Sequence, residues 1–202
     1  MKILLSSLLA MLSINAFAEG CNNPDWVFAP KMENKILILQ IKGTCTLDKK
    51  GNFENLKDFF VKKVSQNSEV VQVHATNEGS MIEELKATEV DSTIDQKAED
   101  DDMVIRYLTK VGTDGHDLLV FDQDSKEMVK ATGNAKFVTK LYNHISVKTS
   151  PNGVVIEMIQ ETRIKKPGFA PESIFVREAS KGIKTGFEQA LKDTFQEISV
   201  NF

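Results

Sequence analysis

The chain has 202 residues, 41% hydrophobic and 27% charged, with 25 Lys and Arg against 29 Asp and Glu for a formal net charge of −4. That modest acidic excess, with lysines scattered rather than in blocks, argues against nucleic acid or an anionic lipid surface as the main partner. The length suits one domain with a substantial core, and after the first eighteen residues no apolar run approaches the ~20 needed to cross a bilayer.

The opening stretch, "MKILLSSLLAMLSINAFA", has the layout of a secretory signal peptide. Lys2 precedes an apolar run of about ten residues, and Ala16 and Ala18 place small residues at both recognition positions. Cleavage after Ala18 would send the protein to the periplasm or outside the cell and leave it one charge more negative. The alternative is lipoprotein processing before Cys21, for which Gly20 is well placed but Ala18 and Glu19 are not.

Residues 19–34 read as an N-terminal arm, and residues 35–202 as one domain. Cys21 and Cys45 are the only cysteines, and an oxidising compartment would pair them, pinning the arm to the first strand. Closing that loop is worth about 3 kcal/mol in the chain-entropy model. A metal-ligand reading fails because neither cysteine has His or Cys at ligand spacing.

"KILILQIKGTCTL" over residues 35–47 is the first predicted strand, with Leu37, Leu39, Ile41, Cys45 and Leu47 on one parity. Asn52 can cap a helix whose Phe53, Leu56, Phe60 and Val64 repeat at three or four. Residues 69–75 follow as a strand, 81–90 fits a strand or a helix and is taken as a strand, and "DSTIDQKAEDDD" over 91–102 reads as a polar loop. It lacks the register of a calcium loop. "MVIRYLTKV", "DLLVF" and "EMVKA" are short strands, the last two separated by "DQDSK", where Asp122 and Asp124 suit a turn.

The clearest pair is residues 136–149 and 153–166, joined by a turn in which Pro151 presets φ and Gly153 tolerates a positive one. A four-residue loop places Thr149 opposite Val154, Val147 opposite Ile156, Ile145 opposite Met158, Asn143 opposite Gln160, Leu141 opposite Thr162 and Thr139 opposite Ile164. This register puts both apolar parities on one face, and a one-residue slip would separate them. Lys140, Tyr142, His144, Lys148, Glu157, Glu161 and Arg163 then face water.

"PGFAPESIF" ends the last strand and starts a long helix, with Pro171 in its first turn and Glu172 at the positive end of its dipole. Phe175, Ala179, Ile183, Phe187, Leu191 and Phe195 form its apolar stripe. Gly182, Gly186 and Ala190 make a row of small residues beside it. Each glycine costs about 1 kcal/mol against alanine in a helix interior, which close helix–sheet approach or room for a ligand would offset.

Strand, helix, about six antiparallel strands and a long C-terminal helix: this order, with the Pro167–Gly168–Pro171 joint, resembles the START-like superfamily, also called the helix-grip or SRPBCC fold. The resemblance implies an α+β domain in which a curved antiparallel sheet of about seven strands wraps around the C-terminal helix. It also implies an apolar ligand, a lipid or similar small molecule, held between them.

Asn143 and Gln160 interrupt two apolar strand faces, so they either satisfy each other across the pair or point into a cavity and orient a ligand's polar end. Leu141 and Met158 flank them on the same face. Phe175, Ile183 and Phe187 would meet them from the helix. Arg106 shares a parity with Val104 and Leu108, which suggests a partly buried cation paired with a glutamate or with a ligand carboxylate.

His74, His116 and His144 stand in no metal or triad spacing, and no nucleophile motif is present. Together with what the resemblance implies, the expectation is a non-covalent binder of an apolar or amphipathic small molecule, with no cofactor, metal or catalytic residue. The alternatives are a cavity-free interaction domain and a cyclase- or hydrolase-type enzyme of the same fold.

Overall fold

The computed structural model describes residues 21–66, 69–76, 85–97 and 102–202, so the expected signal peptide lies outside the described residues. The chain forms β1 (Asn22–Glu33), β2 (Ile36–Leu47), α1 (Phe53–Gln66), β3 (Glu69–Thr76), β4 (Lys86–Lys97), β5 (Asp102–Thr113), β6 (Leu118–Ala131), β7 (Val138–Ser150), β8 (Gly153–Lys165) and α2 (Glu172–Asn201). The strands make one curved antiparallel sheet in the order β1-β2-β8-β7-β6-β5-β4-β3. From β3 onward each strand follows its neighbour in sequence, and the β1–β2 hairpin closes against β8.

Local chemistry explains the helices. The Asn52 carboxamide oxygen accepts the Asn55 backbone N–H at 3.0 Å, capping α1. Phe53, Leu56, Phe60 and Val64 are its buried stripe. Pro171 sits at the N-cap of α2, and its carbonyl accepts the first helical bond from Phe175 N–H at 3.0 Å. The whole expected stripe of α2, from Phe175 to Phe195, is buried. Helix and sheet are in close contact at Gly43 of β2, where a Cβ would stand 2.2 Å from Leu191 Cδ1. A larger residue there would require the Leu191 side chain to move aside.

The β7–β8 register is as expected from Thr149↔Val154 through Leu141↔Thr162. A register shift between Val138 and Lys140 then puts Val138, not Thr139, opposite Ile164. The disulfide joins Cys21 to Cys45 with Cα atoms 5.7 Å apart, one position before the Asn22↔Thr46 pair that opens the β1–β2 ladder.

The structure corrects several expectations. The sheet has eight strands rather than about seven, because the arm is itself a strand. Trp26, Phe28 and Met32 of β1 pack against the core, and the Phe28 ring meets Phe187 edge-on at 6.5 Å. β4 continues through Asp91–Lys97, paired with β5 as far as Lys97↔Asp102, so most of the expected acidic loop is strand. The "DQDSK" turn does not form either. β6 is one 14-residue strand, and its extra residues are absorbed by register shifts against β5. On β5 the buried parity is Met103, Ile105, Tyr107, Thr109 and Val111, so Val104, Arg106 and Leu108 lie on the outer face.

Candidate functional site

The strand registers build the site. On the inner face, Ile41, Gln160, Asn143, Gln123, Thr109 and Val90 stand side by side across β2, β8, β7, β6, β5 and β4. Four consecutive strands therefore contribute a polar residue to one row inside an apolar cup. In a sheet whose inner face is mostly apolar, such a row carries a desolvation cost unless something pairs with it.

The cup holds two apolar clusters. The larger joins α1 and α2 to β2, β7 and β8 and includes Ile41, Met158, Phe175, Ile183 and Phe187. The smaller holds Met103, Ile105, Tyr107, Ala135, Val138 and Leu141, all from strands and the short turn at Ala135–Phe137. Between the two lies a cavity of about 70 Å³. Gln123, Asn143 and Gln160 line it from the polar row, Ile94, Tyr107 and Leu141 from the smaller cluster's side, and Phe187 from the helix.

The polar bonds inside the cavity are incomplete. Gln123 Nε2 donates to Thr109 Oγ1 at 3.3 Å. The side-chain oxygens of Asn143 and Gln160 are buried and have no hydrogen-bond partner among the described residues. Asn143 and Gln160 are register partners, yet neither accepts from the other, so the two amides do not satisfy one another. Each unmet acceptor costs about 1–3 kcal/mol.

Electrostatically the cavity is neutral to acidic: among the described residues Glu161 is the one charged residue at its lining. Burial pushes the Tyr107 phenol far above its ordinary range, which keeps it protonated as a potential donor. A hydroxyl suits such a lining well, because it can both donate to and accept from a carboxamide.

The expected site residues divide three ways. Leu141, Asn143, Gln160 and Phe187 come together at the cavity. Met158, Phe175 and Ile183 lie in the packed larger cluster, each no more than 2% exposed. Arg106 is on the opposite side of the sheet, away from the cavity; it stands across from Glu127, but its Nη2 lies 3.3 Å from Asp91 Oδ2, so its ion pair is with an aspartate.

Tyr107, Gln123, Ile94 and Thr162 also line the cavity. Thr162 was placed opposite Leu141 by the register, but the other three depended on strands whose parity or extent differs from expectation. Reading β6 as one continuous strand would have set Gln123 on the Asn143 row.

The outer face carries the expected charges in an ordered array. Asp122 Oδ1 accepts the Tyr142 hydroxyl and contacts His144 Nδ1, both at 2.7 Å. Burial, then that carboxylate, push the Tyr142 phenol well above its usual range. Arg163 Nε donates to Glu161 Oε1 at 2.7 Å.

The architecture is an α+β fold in which a curved antiparallel sheet packs on a long C-terminal helix, the helix-grip arrangement. Among solved structures the chain is similar to the di-domain ARO/CYC StfQ from the steffimycin biosynthetic pathway, at 11% identity and a TM-score of 0.45. That match covers 81% of this chain and 50% of the other, so the chain spans about half the length of StfQ. A START superfamily protein from Mycobacterium smegmatis matches 79% of the chain over 98% of its own, at 10% identity and a TM-score of 0.37. The human StarD13 lipid transfer and protein localization domain matches 85% over 89% of its own, at 10% identity and a TM-score of 0.40. These are likenesses of fold alone. No protein-family model matches the sequence, and no curated protein shows significant similarity to it.

Proposed function

We propose that the protein is an exported, non-covalent binder of a neutral amphipathic small molecule. A hydroxyl-bearing end rests against Asn143 and Gln160, and an apolar body is taken up between α2 and the two clusters. One observation carries this reading: two adjacent carboxamide oxygens are buried without partners at the wall of a cavity. In the resting form the cavity of about 70 Å³ is well below the roughly 300 Å³ of ordinary ligand sites. Uptake of a lipid-sized body therefore requires the helix and the smaller cluster to part, with Phe187 the first side chain displaced.

A second reading, an interaction domain with no ligand, is favoured by the close packing of Met158, Phe175 and Ile183. Native mass spectrometry of protein purified from its own periplasm separates the two. A co-purifying neutral mass of lipid size supports the binder, and a homogeneous empty chain supports the interaction domain. The same spectrum tests export: the mature chain should begin at Glu19 with Cys21 and Cys45 oxidised, and a diacyl adduct on Cys21 would mean lipoprotein processing.

Gln160→Met tests the polar row directly. Methionine keeps the unbranched shape and removes the unmet oxygen, so stability should rise by about 1 kcal/mol. Affinity for a long-chain alcohol, followed by displacement of a neutral naphthylamine probe, should fall about tenfold. A variant that loses stability while binding is unchanged would show that Gln160 is structural.

A further inference from the structure

Of the large apolar side chains exposed among the described residues, Phe169 is the most exposed, at 83%. It stands in the connection between β8 and α2, and that connection is held in place. Lys166 Nζ donates to the carbonyls of Pro167 at 3.2 Å and Ala170 at 2.5 Å. The Ala170 N–H also donates to the Pro167 carbonyl at 3.2 Å. Phe169 is thus presented by an ordered loop that leaves it no intramolecular cover, with Ile174, 49% exposed, following in the first turns of α2.

The surroundings are basic. The Lys166 N–H donates to the Lys35 carbonyl at 2.8 Å, Lys165 is opposite Ile36, and Lys136 lies two residues before Val138, the partner of Ile164. Lys35, Lys136 and Lys165 are all exposed and gather at the sheet end that carries the loop. The acids nearby are Glu33, ion-paired with Lys31, Glu178, ion-paired with Arg177, and Glu172. A net charge of −4 averages over this end and conceals it.

We propose that this end docks the protein on an anionic lipid bilayer, with Phe169 entering the interface and Lys35, Lys136 and Lys165 facing the phosphates. An apolar tip within a ring of lysines fits such a surface: the ring is attracted by the surface potential and the tip by the acyl boundary. The acidic remainder of the molecule is repelled, which fixes the orientation. The docking end does not include the cavity, so it can fail while ligand binding stands, or the reverse.

Sedimentation with large unilamellar vesicles tests it. The full mature chain should bind phosphatidylcholine vesicles containing 25% phosphatidylglycerol and not pure phosphatidylcholine, with binding lost in 0.5 M NaCl. Phe169→Ser, which touches no buried contact, should weaken binding about tenfold, and each of Lys35→Glu, Lys136→Glu and Lys165→Glu about fivefold or more. Circular dichroism confirms that each variant is folded. Wild-type protein that binds neither vesicle overturns the proposal and leaves a protein partner for this end. Equal binding to both vesicle types, or a Phe169→Ser variant that binds as wild type, also overturns it.

Discussion

Phe187→Ala is expected to lower the unfolding free energy by about 3 kcal/mol and, at the same time, to raise uptake of a neutral naphthylamine probe. Phe187 is 6% exposed, packs edge-on against Phe28 and forms part of the cavity wall. A fully surrounded phenylalanine costs about 3–5 kcal/mol on truncation. Here one side of the ring already borders open space, which puts the loss at the lower end. For a chain of this size the melting temperature should drop by roughly 6–12 °C. The truncation also merges the ring's volume with the cavity and widens the passage between helix and smaller cluster. A loss near 5 kcal/mol with no gain in probe uptake would mean that α2 simply closes a packed core.

Gly153→Ala should cost about 3–5 kcal/mol, although it adds a single methyl group at the surface end of a hairpin. Gly153 has φ +116, a conformation that an L side chain adopts only under strain of about 1–3 kcal/mol. The new Cβ would also stand 2.1 Å from the Leu47 carbonyl oxygen. That oxygen belongs to the neighbouring strand's backbone and cannot rotate away, so the β7–β8 turn must shift relative to β2. Thermal unfolding checks the magnitude. Asn152→Ala, in the same turn, is the control and should cost well under 1 kcal/mol.

The parts of the fold legible in the sequence are those where apolar periodicity and turn chemistry agree. The β7–β8 register followed from Pro151, Gly153 and the matched parities, and with it came the adjacency of Asn143 and Gln160. α2 followed from its stripe and from Pro171. β1 was missed because Pro24 and Pro30 argue against a strand, yet Trp26, Phe28 and Met32 alternate as an edge strand requires.

β6 was divided because Asp122, Gln123 and Asp124 are turn residues by local propensity. Their partners are non-local: Tyr142 and His144 for Asp122, Thr109 for Gln123, Lys140 for Asp124. Tertiary pairing outweighs propensity there, and no window on one strand can see it. The cavity was half legible for the same reason. Its β7–β8 wall follows from one hairpin, whereas Tyr107 and Gln123 depend on the parity and continuity of β5 and β6.

The two prolines of β1 have a consequence for how copies of the protein meet. β1 is the last strand on its side of the sheet, and an exposed strand edge is a template for another chain to extend. Pro24 and Pro30 supply no N–H to such a chain and bracket only the five residues between them. Lys31, beside Pro30 and ion-paired with Glu33, would set a charged pair against any strand laid alongside. Sheet-to-sheet polymerisation through this edge is thereby opposed by covalent structure. Valine in place of Pro30 would restore the missing donor, and self-association that grows with protein concentration is the sign that the edge has opened.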